Sequence, residues 1–193
     1  MMIKPVVVLI AIAASTLPAF GRAKNVILFV GDGAGISSLN AASIYGYGKP
    51  RALYIQQMPY LALADTSSAK EWVTDGAACA SAWATGHKTR NGVVSMSDDA
   101  ERDVKDGKIY KTVMEYAMEQ GLATGVISNE DRAGVADAAV SAVSLEDEHT
   151  AEEVPVLAAG PGSDSVHGYI SNTDVFHIMM SAFAWDDGQS SVQ

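Results

Sequence analysis

The chain has 193 residues, with 13 lysines and arginines against 23 aspartates and glutamates and a formal net charge of −10. Hydrophobic residues make up 48% of it, and glycine and proline are too scattered for a collagen-like or low-complexity protein, which excludes disorder of the whole chain. Because nucleic-acid binding requires clustered lysine and arginine, the acidic balance argues against a nucleic-acid partner. The length is that of one ordinary domain.

The beginning of the chain has the pattern of a secretory signal peptide. Lys4 gives a positive start, residues 6–14 are an uninterrupted apolar run, and residues 19–21 place small side chains at the two positions that a signal peptidase reads. A membrane anchor would need about 20 apolar residues, and Pro18 interrupts the segment before that length. We therefore predict a signal peptide over residues 1–21, no transmembrane anchor, and a secreted or periplasmic location.

Strands and helices are predicted to alternate through the rest of the chain. Continuous apolar runs, typical of strands buried on both faces, occupy residues 25–30, 60–64, 122–127 and 154–158. Helices are predicted near residues 37–45, 75–85, 109–120 and 175–183. This alternation predicts an α/β fold with a mostly parallel sheet sandwiched by helices, in a single domain over residues 22–193. Cys79 is the only cysteine, so the domain depends on its hydrophobic core and not on an internal disulfide.

Ligands of such sheets bind beyond the carboxyl ends of the strands. This rule singles out Asp32, the loop from Asp65 to Asp75, and residues 129–132. Asp32 lies between two glycines directly after the first apolar run, where its carboxylate would have room for a hard cation. An Asp-Gly pair is also an ordinary turn former, so a metal ligand and a simple turn both remain possible for Asp32.

The segment from Val73 to Ser81 runs from a polar turn into an alanine-rich helix. The start of such a helix offers backbone N–H groups on which a phosphate can rest. Alanine-rich helices also serve close packing between elements, so the segment by itself leaves both interpretations open.

Three motifs, in order along the chain, resemble the alkaline phosphatase family. Residues 24–35 (KNVILFVGDGAG) are similar to its first strand and metal-binding turn. Residues 72–93, which include TDGAACASAWATGHKT, resemble its nucleophile segment, and residues 149–174, beginning HTAEEVPV, resemble its C-terminal metal segment. The matches cover most of the mature chain. They imply a truncated alkaline-phosphatase-like α/β domain.

This resemblance implies a metal-dependent hydrolase of phosphate monoesters that uses zinc and magnesium. In the family, the residue at the position of Asp32 bridges metal ions and the residue at the position of His149 holds zinc. The nucleophilic serine of the family corresponds to Gly76, which follows Asp75 in the catalytic segment. The implied reaction is an in-line displacement in which a phosphoserine forms and is hydrolysed, with a phosphate monoester or inorganic phosphate as the bound partner.

The chain departs from the family pattern in three places. Gly76 has no side chain to attack phosphorus, and Cys79 and Ser81 follow too far along, since one helical turn moves a group by about 5 Å. Ala136 stands where the family has a magnesium-holding threonine or serine, and a central section with most zinc ligands is missing near residues 144–148. Catalysis therefore stays open. The alternatives are a non-catalytic secreted remnant (a pseudoenzyme) that binds metal or phosphate and whose unpaired sheet edges favour a homodimer, and a disrupted gene product that does not fold.

Overall fold

The computed structural model describes residues 21–31, 34–101, 103–127 and 150–186. Within these ranges the α-helices are α1 (Ile36–Tyr47), α2 (Gly76–Thr85), α3 (Val113–Glu119) and α4 (Asp174–Ala182). The strands of the same ranges are β1 (Tyr60–Asp65), β2 (Val154–Ala158) and β3 (His167–Ser171). Short 3₁₀ helices cover Tyr54–Gln57 and Ser163–Ser165.

The described strands form one mixed sheet in the order β2-β1-β3. Ala62 in the central strand pairs with Val156 of antiparallel β2 on one side and with Gly168 of parallel β3 on the other. The predicted α/β class is confirmed, and the predicted strands at 60–64 and 154–158 are both present. β3 was not predicted, because its sequence, HGYIS, contains a glycine and only one aliphatic side chain and so is not an apolar run.

Two predicted strands are not part of this sheet. Residues 25–30 and 122–127 have no regular secondary structure, and Ile27 and Phe29 are 76% and 81% exposed. An apolar run becomes a strand buried on both faces only where neighbouring strands and covering helices are available. Within the described ranges neither run is paired with a strand. The prediction of two buried strands at these positions is therefore wrong for this structure.

The helix ends follow the capping residues in the sequence. Gly86 ends α2 in the left-handed conformation (φ +75°), and its N–H donates to the carbonyl of Ala82. α3 begins at Val113 and not near residue 109, because Thr112 and Glu115 form a capping box that fixes its first turn. Thr173 is the N-cap position of α4, although its side chain makes no capping hydrogen bond.

Among the described residues, α2 and α4 carry many of the buried side chains. α2 presents a row of buried alanines, and α4 is its main helical neighbour. On α4, Phe176 and Met180 are buried, and a Cβ added at Gly86 would lie 2.6 Å from the Phe176 ring. The Phe176 ring therefore packs against the carboxyl end of α2. Burying a side chain of that size contributes about 1.5–3 kcal/mol to folding.

Candidate functional site

The start of α2 is organised around the Asp75 carboxylate. Asp75 is the N-cap of the helix, and its Oδ1 accepts a hydrogen bond from the Ala78 N–H at 2.8 Å. Its Oδ2 accepts from the Gly92 N–H at 2.5 Å. Both carboxylate oxygens therefore bind backbone donors, one inside the helix and one in the loop that follows it.

Asn91 completes this arrangement from the same loop. Its side-chain carbonyl accepts from the Asp75 N–H at 3.1 Å, and its amide group donates to the Val73 carbonyl at 3.0 Å. Sequence reasoning assigned Asn91 no role of its own. The signal that was available is the Asn-Gly pair at 91–92, an ordinary turn sequence that places Gly92 in the left-handed conformation.

Gly76, which the resemblance described above aligns with a nucleophilic serine, is the first residue of α2. Thr74, just before it, is buried, and its hydroxyl donates to the Asp75 carbonyl at 3.1 Å. The buried Ser81 hydroxyl donates to the Ala77 carbonyl at 2.8 Å. Each of these two hydroxyls therefore donates its hydrogen to a backbone carbonyl.

Cys79 is a third side chain near Gly76 that could act as a nucleophile. Burial raises the pKa of its thiol, although hydrogen bonds with Trp83 and Asn172 oppose this effect. The thiol therefore stays protonated at neutral pH, and a protonated thiol is a poor nucleophile.

A second polar cluster lies where the parallel strands β1 and β3 end. Asp65 closes β1, and its carboxylate contacts the Lys88 ammonium, which also donates to the Ser67 hydroxyl at 2.8 Å. The amide group of Asn172, directly after β3, donates to the Ser67 carbonyl at 3.3 Å. Partial burial raises the pKa of the Asp65 carboxyl, but hydrogen bonds from Lys88 and Ser67 outweigh burial, so its pKa lies below the ordinary value.

The loop after Asp65, which the sequence predicts to be a place of ligand binding, begins at the carboxyl ends of β1 and β3. Lys88 and Asn172 are parts of the cluster around Asp65 that sequence reasoning did not single out. Lys88 lies in the motif at 72–93 and Asn172 in that at 149–174, but neither motif predicts a contact with Asp65, because the two residues approach it only after the chain has folded.

The predicted metal ligands Asp32 and His149 both lie outside the described residues, as do residues 129–132 and Ala136. Among the residues that the structure describes, no group of three or more histidines, cysteines, aspartates and glutamates is arranged to hold a metal ion. A catalytic zinc ion normally has three protein ligands, so the described donors do not fit such an ion.

The family model for alkaline phosphatase matches residues 23–145 and residues 129–185 of this chain. The chain belongs to the alkaline phosphatase family. This match confirms the resemblance that the three sequence motifs indicated. It covers both the start of α2 and the region from β2 to α4, the two parts that form the clusters around Asp75 and Asp65.

Curated alkaline phosphatases and one specialised phosphatase are similar to this chain. Alkaline phosphatase of Escherichia coli K12 is 38% identical over 127 residues, which are 62% of this chain and 26% of that protein. Streptomycin-6-phosphate phosphatase of Streptomyces griseus is 37% identical over 127 residues, 63% of this chain and 26% of that protein. Alkaline phosphatase 4 of Drosophila melanogaster is 37% identical over 116 residues, which are 55% of this chain and 19% of that protein. The chain thus spans about a fifth to a quarter of these relatives.

Solved structures show the same fold. The alkaline phosphatase of the Antarctic bacterium TAB5 superposes with a TM-score of 0.55 at 14% identity, covering 80% of this chain and 96% of that chain. A mutant of that enzyme with magnesium bound superposes with a TM-score of 0.53 at 13% identity, covering 77% and 95%. These alignments support an alkaline-phosphatase-like fold. In the described ranges, none of the helices has the length and apolar character needed to cross a bilayer.

Proposed function

We propose that this chain is a non-catalytic member of the alkaline phosphatase family. The observation that carries the proposal is the residue at the start of α2. Gly76 lies where the family resemblance places the attacking serine, and glycine has no side-chain atom that can form a bond to phosphorus. The chain would keep the fold of the reaction centre while lacking the group that makes the phosphoenzyme.

The neighbouring side chains do not take over this role. A nucleophile needs a base that removes its proton or a lowered pKa, and the Thr74 and Ser81 hydroxyls instead donate to backbone carbonyls. Ser81 also lies five residues beyond Gly76, about 7.5 Å along the helix axis. The raised pKa of the Cys79 thiol keeps it protonated.

A second candidate is a weak hydrolase of phosphate monoesters that uses a water molecule as the nucleophile. It is favoured by family membership and by relatives whose names are those of phosphatases. In this version Asp32 and His149 would be ligands for zinc or magnesium, with further ligands outside the described residues or on another chain. The bound metal would activate water and polarise the phosphate.

The two candidates are separated by assaying the purified full chain on 4-nitrophenyl phosphate with zinc and magnesium supplied. Wild type is compared with Gly76→Ser and with Gly46→Ser, which makes the same change in helix α1, where an added Cβ meets open space. Turnover in Gly76→Ser alone, or in none of the proteins, supports a non-catalytic wild type. Saturable, metal-dependent turnover in wild type overturns it and favours the weak hydrolase.

Metal and phosphate binding form a separate part of the proposal. We expect Asp32 to contribute to binding of a divalent cation, because its carboxylate follows the apolar run 25–30 within a glycine-rich turn. Calorimetric titration of wild type and Asp32→Ala with zinc, and then with inorganic phosphate, tests this. Equal zinc affinities of the two proteins, or no zinc binding by either, would contradict the proposed role of Asp32 in cation binding.

Export and domain organisation are proposed from sequence features. Lys4, the apolar run 6–14 and the small residues at 19–21 support a signal peptide and a secreted or periplasmic protein. Amino-terminal sequencing of the protein from its native host should begin near Arg22. The two separate family-model matches support one domain over residues 22–193 with the family's central section absent near residues 144–148.

Self-association is proposed from the sheet. β2 and β3 are the outer strands of the described sheet, and no other described strand pairs with their outer edges, which favours pairing with a second copy of the chain. Light scattering after size exclusion should then give the mass of a homodimer. A monomer at all concentrations would contradict this proposal.

A further inference from the structure

A cavity of about 220 Å³ opens at the carboxyl end of α2, roughly 14 Å along the helix axis from Gly76. Its floor is formed by Thr85 and Phe176, which are both buried. It lies at the opposite end of the helix from the Asp75 cluster. It is therefore separate from the site that the proposed function concerns.

The walls of the cavity are flat and aromatic. The rings of His87 and Tyr110 are stacked, with 3.7 Å between their centroids and 13° between their planes. Tyr116 forms another wall, and its ring meets that of Phe176 at 6.1 Å in a tilted arrangement. Such surfaces favour a planar ligand, since aromatic rings associate in offset-stacked and edge-to-face geometries.

The rim of the cavity is cationic. The exposed Lys108 ammonium lies 5.5 Å from the centre of the Tyr110 ring and forms no ion pair with a carboxylate among the described residues. Lys111, by contrast, pairs with Glu119 while lying 4.0 Å from the centre of the Tyr116 ring. Within the described residues, no carboxylate therefore pairs with the Lys108 ammonium, although the chain carries a net charge of −10.

We propose that this cavity binds a small planar anion, namely a single aromatic ring that bears a carboxylate. The ring would lie between the aromatic walls, and the carboxylate would face the Lys108 ammonium. The volume suits one ring, because a protein cavity of roughly 150 Å³ already accepts benzene. A carboxylate on such a ring would supply a counter-charge that the described residues do not give Lys108.

The test is a calorimetric titration of the full chain with benzoate and with benzyl alcohol, its uncharged analogue. Lys108→Met removes the charge and keeps an unbranched side chain. Lys49→Met makes the same change at an exposed lysine after α1, away from the cavity. We expect saturable benzoate binding that is about fivefold weaker in Lys108→Met, unchanged in Lys49→Met, and weaker for benzyl alcohol in wild type.

Circular dichroism first establishes that both variants fold. If Lys108→Met does not fold, proton NMR of the wild-type rings decides, because benzoate should shift the resonances of Tyr110 and leave those of the exposed Tyr45 in place. Absence of saturable benzoate binding, or equal affinities of wild type and Lys108→Met, overturns the proposal. None of these outcomes depends on hydrolysis or on metal, so failure here leaves the proposed function untouched.

Discussion

The Asp75 carboxylate joins the first turn of α2 to the backbone of Gly92, seventeen residues further along the chain. A helix N-cap usually satisfies donors of its own helix only. Here the second oxygen also holds the loop that carries Asn91, whose side chain returns to the Asp75 N–H. The start of α2 is therefore fixed by hydrogen bonds from both sides, and these bonds use the full carboxylate.

Replacement of Asp75 should destabilise the fold through these bonds. Asp75→Ala removes both acceptors and should lower the free energy of unfolding by about 1–2 kcal/mol, the usual effect of losing an N-cap. Asp75→Asn keeps one side-chain oxygen for the Ala78 N–H and should cost less. Urea unfolding followed by circular dichroism measures both variants. Equal stability of Asp75→Ala and wild type would contradict the role assigned to the carboxylate.

The Asp65–Lys88 contact should make stability depend on pH in acid. Because the pKa of Asp65 is lowered on folding, its contribution is present above the unfolded value near 3.9 and is lost as pH falls through the lower, folded value. Half of the Asp65 side chain is exposed, so at neutral pH Lys88→Met should cost no more than about 1 kcal/mol.

Urea unfolding of wild type and Lys88→Met between pH 7 and pH 2 measures this effect. The stability difference between the two proteins should shrink in acid, once Asp65 is protonated in the folded state. Lys49→Met, which changes an exposed lysine outside the cluster, is the matched control. A difference that stays constant down to the lowest pH would show that Lys88 acts through packing alone.

Gly86 is required for two separate reasons. Its φ of +75° is unfavourable for any other residue, and a Cβ there would lie 2.6 Å from Cδ1 of the buried Phe176. Gly48, at the end of α1, has a similar φ of +67° but open space around its Cα. Gly48→Ala should therefore cost about 1 kcal/mol from backbone strain alone, and Gly86→Ala clearly more. Equal losses in thermal unfolding would argue against close packing of α2 on α4.

The core between α2 and α4 predicts a contrast between two methionines. Met180 is 2% exposed on α4, whereas Met118 is 54% exposed on α3. Met180→Ala should lower the free energy of unfolding by about 2–5 kcal/mol, because the cavity it leaves adds to the lost burial. Met118→Ala should change it by less than about 0.5 kcal/mol. Similar losses from both substitutions would place the core elsewhere.

Local sequence signals predicted the helices well. The alanine-rich helix predicted near residues 75–85 is α2, and the apolar runs at 60–64 and 154–158 are β1 and β2. These features depend on neighbouring residues in the chain. The capping box of Thr112 and Glu115 is an equally local signal, and it places the start of α3 at Val113.

The failures concern partners that are distant in sequence. Residues 25–30 have the composition of a central strand, but a strand is buried only if other strands pair with it, and the described sheet provides no such pairing. The clusters around Asp75 and Asp65 were likewise only half predicted. Asp65 and Asp75 lie at the ends of recognisable elements. Asn91, Lys88 and Asn172 reach these clusters only through the tertiary fold.

We propose that the chain has the alkaline phosphatase fold but does not hydrolyse phosphate monoesters. The most direct test is the initial rate of 4-nitrophenyl phosphate hydrolysis by the purified wild-type chain, measured against substrate concentration with zinc and magnesium present. We expect no saturable rate above that of buffer containing the same metal ions. A saturable rate that is lost on adding a chelator would contradict the proposal.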